Sequence, residues 1–112
     1  MFELEKLESI DVIVPNNSGA IVDLVSRLND YKHNLIIDLR EGVLLSDEDL
    51  EALESVADNR EEIEKSLALC NVLGENKSNI EKHFDDEIIV VPTMNEAVDF
   101  VYMEEQERDL GL

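Results

Sequence analysis

The sequence predicts an α/β fold, built as a mixed, mostly parallel sheet with four helices. Three observations lead there. Leu35-Ile36-Ile37-Asp38-Leu39, Ser66 to Val72 and Ile88 to Val91 are compact apolar runs that read as strands. The segments between them carry apolar residues at helical spacing, such as Ile21, Leu24, Val25 and Leu28. From about residue 10 the two patterns alternate, as expected of parallel strands joined by right-handed crossovers.

Each element has its own justification. Phe2-Glu3-Leu4-Glu5 alternates with period two, and Asp11-Val12-Ile13-Val14 is an apolar run that stops at Pro15. The pair reads as a hairpin at the edge of the sheet. Asn16-Asn17-Ser18-Gly19 is a turn that also caps a helix expected from about Ser18 to Asn29. Residues 35–39 form a strand covered on both faces, because the run is almost wholly apolar. Ser46, with Asp49 three residues on, resembles a capping box. The helix it opens buries Leu50, Leu53, Val56 and Ala57 and runs to about Lys65. Ser66 to Val72 is the next central strand. Gly74 then breaks the chain, and Ser78 with Glu81 opens a third helix carrying Ile80 and Phe84. Ile88 to Val91 is the last strand, and Thr93 with Glu96 caps a final helix to about Leu110, before Gly111.

Composition narrows the functional classes. At 112 residues the chain is expected to be one domain, residues 1–112. Apolar residues make up 44% but aromatics only 4%, so the core is aliphatic. The charge is the outlier: 28 acidic against 9 basic residues give −19. Such a surface repels phosphate backbones and anionic membranes, which points away from nucleic acid and membrane partners. It favours basic proteins, or serves solubility. No apolar run approaches the roughly 18 residues of a spanning helix, and the opening MFELEKLESID lacks the basic start of a signal peptide. The single Cys70 excludes an internal disulfide, so a reducing cytoplasm is the expected location.

The order of elements resembles the STAS domain, the family of anti-sigma-factor antagonists and of the cytoplasmic domains of sulfate transporters. Asn34 to Leu39 matches the family's strand with its apolar-Asp-apolar ending. Gly42-Val43-Leu44-Leu45 matches the approach to its switch, and Leu50 and Leu53 the first buried positions of the next helix. Val90-Val91-Pro92-Thr93-Met94-Asn95-Glu96-Ala97-Val98 is similar to its final strand and helix start. The resemblance implies a STAS-like fold and a non-catalytic regulator that binds an anti-sigma factor, a serine-kinase-type protein or another signalling partner, with no cofactor.

The family's switch is Asp-Ser-Ser/Thr-Gly at a helix N-terminus, where a kinase phosphorylates the second hydroxyl. Here the same place reads Ser46-Asp47-Glu48-Asp49, with Ser46 on the family's Asp and Glu48 on the phosphorylated position. A shift of one or two residues instead makes Ser46 the phosphoacceptor. A helix N-terminus stabilises anions through its free N–H groups and dipole, by roughly 0.3–1 kcal/mol for each exposed carboxylate. The acidic start therefore either imitates a phosphorylated switch or simply steadies its helix. Asn17, Ser18, Ser46, Asp47, Glu48 and Asp49 are the expected partner contacts, and Ser46 is the candidate phosphosite. The third reading is an acidic decoy that covers a basic protein by overall charge.

Other residues carry less. His83 precedes Asp85, Asp86 and Glu87, but adjacent carboxylates diverge rather than converge, so a solvated loop is expected there and no metal. His33 reads as a turn residue. Cys70 is expected to be a packed thiol. In the last helix Ala97, Val98 and Val101 face the sheet, while Phe100, Tyr102 and Met103 offer a candidate docking or weak self-association surface with an acidic rim.

Overall fold

The computed structural model describes residues 2–85 and 87–111. Within them, a five-stranded sheet runs in the order β1 (Phe2–Leu7), β2 (Ile10–Pro15), β3 (Asn34–Asp38), β4 (Leu67–Cys70), β5 (Ile89–Val91). The first pair is an antiparallel hairpin with Leu7 opposite Ile10, and every later pairing is parallel. Four helices accompany it: α1 (Ala20–Val25), α2 (Asp47–Glu62), α3 (Gly74–Phe84) and α4 (Met94–Asp109).

Each parallel crossover steps to the next strand in the same direction. With a common right hand, the three crossover helices must then share one face of the sheet. The core follows suit. Ile13, Leu35, Ile37 and Leu69 point toward Ile21, Leu24, Leu50, Leu53 and Ile80 on the helices of that face. Period-two alternation sends Ile10, Val12, Val14, Ile36, Ala68 and Cys70 to the other face, where α4 covers them with Ala97 and Val101. Each fully buried Leu or Ile contributes about 1.5–3 kcal/mol.

Several boundaries differ from the sequence expectation. The first helix begins after Gly19 and ends at Val25, followed by a 3-10 turn over Leu28–Asp30. The Ser26 hydroxyl donates to the Asp23 carbonyl at 2.6 Å, and Arg27 N–H reaches back only three residues, to Leu24. That tightening ends the α-helix early. α3 opens at Gly74, not Ser78, because the Ser-x-x-Glu spacing fits a helix interior as well as a cap. β5 is apolar as expected but forms the open edge, with Ile89 and Val90 38% and 37% exposed. α2 stops at Glu62, where Glu64 adopts a left-handed φ of 59° and the Lys65 amide returns to the Arg60 carbonyl.

Candidate functional site

The start of α2 is set by Ser46, an extended residue at φ −78° and ψ 170°. Its hydroxyl accepts the Asp49 amide at 3.1 Å, and Asp49 Oδ2 accepts the Ser46 amide at 3.1 Å. The capping box is therefore complete in both directions, with Asp in place of the commoner Glu.

The Asp49 carboxylate does more than cap its own helix. Oδ2 also accepts the Gly19 amide at 2.9 Å, and Oδ1 accepts the amides of Ile21 and Val22 at 3.2 and 3.3 Å. The first amides of α1 have no cap from their own segment, so a carboxylate on the neighbouring helix supplies it. Gly19 sits at φ +90°, a conformation glycine adopts without strain, and this turns its N–H toward Asp49. Asp49 is wholly buried. Burial pushes its pKa up, but the amides of Gly19, Ser46 and Val22 and the Ser46 hydroxyl outweigh it, leaving the group below its ordinary 3.8.

This burial corrects the grouping of Asp49 with the partner contacts. Every oxygen it has is spent inside the fold, and it presents nothing to a partner. What it does is hold the two candidate segments together, because one carboxylate oxygen binds the amides of both Gly19 and Ser46. Asn17 and Ser18 are exposed on one segment, Asp47 and Glu48 on the other, and Ser46 is half-buried between them.

The connection leading to α2 is fixed along its length. At its start the buried Asp38 accepts Arg40 Nε at 2.8 Å and Asn71 Nδ2 at 2.7 Å. Arg40 reaches on to both oxygens of Glu5 at 2.9 and 3.1 Å, and these hydrogen bonds to Glu5 and Asp38 raise its pKa. In the middle, Asn76 of α3 accepts the Leu45 amide at 2.9 Å and donates to the Val43 carbonyl at 2.7 Å. Those two bonds flank Leu44, which is 52% exposed, and Leu73 at the start of α3 is 79% exposed. Leu44 enlarges the surface next to Asp47, and its exposure was not anticipated. In the short apolar run Val43-Leu44-Leu45 no periodicity marks which leucine is exposed.

The remaining candidates fall elsewhere. Phe100 is half-buried against the α4 face of the sheet, Met103 is 53% exposed, and Tyr102 donates its hydroxyl to the Glu8 carbonyl. Together they do not join the α2 start. His83 lies in α3, not in a loop, with Nε2 3.5 Å from Glu54 Oε2. Asp86 lies outside the described residues. Cys70 is buried as expected, and burial, then the Asp38 carboxylate, pushes its thiol up to about 12.

No family model matches the chain, and no curated protein sequence does. Solved structures do. SpoIIAA, an anti-sigma factor antagonist in its unphosphorylated form, is 16% identical with a TM-score of 0.70, over 91% of this chain and 98% of its own. A serine-to-glutamate variant of RsbS from Moorella thermoacetica is 12% identical at 0.74, covering 94% and 97%. A Thermotoga maritima protein assigned to the anti-sigma factor antagonists is 14% identical at 0.75, covering 90% and 94%. The chain thus has the STAS-like fold of the anti-sigma factor antagonists.

Proposed function

We propose that this protein is a non-catalytic regulatory domain that binds another signalling protein through the start of α2 and the neighbouring loop before α1. The observation that carries the reading is the shared carboxylate. Asp49 locks two loops into one surface and leaves Asp47 and Glu48 outside it, at the positive end of a sixteen-residue helix. Rigid presentation of two charges lowers the entropy lost on docking. Leu44, three residues before Asp47, adds exposed apolar area to the charges, which is the composition of a protein-binding patch with a polar rim.

The partner that fits is an anti-sigma factor, a serine-kinase-type protein or another signalling protein, with a basic groove to match the acidic helix start. A solved structure of the same fold is an RsbS variant with glutamate in place of a serine, which supports reading a carboxylate as compatible with this framework. Glu48 is read here as a permanent charge of that kind. Phosphorylation of Ser46 is the second reading. Against it, the Ser46 hydroxyl is engaged as the cap of α2, and a phosphate there would crowd Asp47 and Glu48.

The test is affinity capture from native cytosol with wild type and Glu48→Ala, quantified by mass spectrometry. A partner lost about tenfold or more with the variant supports the site. Equal recovery removes Glu48 from it. Binding that collapses for every charge variant alike as salt rises would instead indicate coverage by overall charge.

A further inference from the structure

The two hydrogen-bonding edges of the sheet are unlike. β5 is three residues long and leaves only Val90 facing outward, too little for a ladder. β1 has six residues, and its outward groups follow from the strand beside it. The Asn34 amide donates to the Ser9 carbonyl, so Ser9, and by alternation Asp11 and Ile13, turn their backbone groups toward β3. Ile10, Val12 and Val14 then serve β1, where they face Leu7, Glu5 and Glu3. Phe2, opposite Pro15 with its missing N–H, stays out of that ladder together with Leu4 and Lys6. The N–H and C=O groups of these three residues face the open side.

Side chains divide the same strand by face. Phe2 and Leu4 share the face of the first three helices. There Phe2 meets Tyr31 edge-on, with ring centroids 6.4 Å apart, and Leu4 is 39% exposed. Glu3 and Glu5 lie exposed on the opposite face. Arg40 reaches Glu5 there, but it also bonds the buried Asp38. One guanidinium thus stands against three carboxylates, and the strip keeps a negative charge.

We infer that the β1 edge is a second docking site, which takes an extended segment of a partner protein as a sixth strand. The segment carries lysine or arginine opposite Glu3 and Glu5, and apolar residues opposite Phe2 and Leu4. The outward groups of Phe2, Leu4 and Lys6 supply the ladder. In an antiparallel ladder Glu3 and Glu5 fall at the non-hydrogen-bonded pairs, where facing Cα atoms come within about 4.5 Å and side-chain charge counts most. The same spacing excludes a second copy of this chain. Every antiparallel register of β1 on itself that pairs two or more outward residues sets a glutamate opposite a glutamate. Charge along this edge thus repels copies and selects a basic strand. The site is separate from the α2 start, so either can fail without the other.

The probe is a capped nonapeptide of alternating lysine and valine, titrated into the whole protein and followed by amide shifts and hydrogen exchange. The control peptide has the same composition with its lysines in one block. Slowed exchange at Leu4 and Lys6, with the block peptide about tenfold weaker, is expected. Leu4→Pro removes one outward N–H from an edge strand, where proline is tolerated, and should weaken binding about tenfold with an unchanged circular dichroism spectrum. Should that variant unfold, Glu3→Lys serves in its place, and weakens binding about tenfold by setting like charge against the incoming strand. Glu48→Ala leaves binding intact. Equal binding of the block peptide, full binding by folded Leu4→Pro or by Glu3→Lys, protection confined to residues 46–48, or self-association that Leu4→Pro abolishes would each overturn the inference.

Discussion

Asp49 Oδ2 lies 2.9 Å from the amide nitrogen of Gly19, thirty positions earlier in the chain, while the same side chain closes the capping box on its own helix. A single carboxylate thereby fixes two helix starts. Removing it strands four buried or half-buried amides at once. Asp49→Ala should cost about 3 kcal/mol in urea denaturation, within the range for buried charge-assisted hydrogen bonds. Glu48→Ala, one residue away but exposed, should move stability by no more than about 0.5 kcal/mol. Equal effects from the two would refute the division between clamp and contact.

The same group sets an acid limit. Its folded pKa is lowered below 3.8, so its stabilisation is complete above that value and is lost as pH falls through the lower, folded one. Urea midpoints of wild type should drop more steeply than those of Asp49→Asn as the pH falls below 3.8. Parallel curves would place the acid sensitivity in other carboxylates.

Arg60 is buried, and its guanidinium bonds the Tyr31 carbonyl at 2.9 Å, the His33 carbonyl at 2.6 Å and Asn59. Burial lowers its pKa, opposed by the charge of Asp11. Arg60→Lys keeps the charge but cannot span both carbonyls, and should cost about 2 kcal/mol. A stability within a few tenths of wild type would show that charge alone suffices.

With its pKa raised to about 12 and no exposed surface, the Cys70 thiol should react with disulfide reagents only through unfolding. Labelling at neutral pH should therefore follow the unfolding rate and accelerate with urea. Rapid labelling of the native protein would contradict the packing.

Glu64 ends α2 in a left-handed conformation at φ 59°. Glu64→Gly should raise stability by about 0.5–1 kcal/mol by relieving that strain. A loss in thermal melting would mean that its side chain has a stabilising role.

Much of the fold was legible because the signals were periodic. The hairpin, the covered strand at residues 35–39 and the stripe Leu50, Leu53, Val56 fix element type without help from tertiary context. The capping box at Ser46 was legible too, since both partners are local. What Asp49 does thirty positions away was not, because its acceptors could serve solvent equally well until the Gly19 turn is placed beside it. Asn76 is the same case. Its two bonds to the loop around Leu44 leave no pattern in an otherwise polar helix.

One apolar face of the sheet rests on α4, the element that follows β5. Until residues near Val101 clear the ribosome, Ile10, Val12, Val14, Ile36, Ala68 and Cys70 have no lid, whatever the other three helices have already done. A nascent chain halted after β5 would therefore be half-roofed and sticky. Chaperone capture during synthesis should concentrate in that interval and vanish once the last helix lies down.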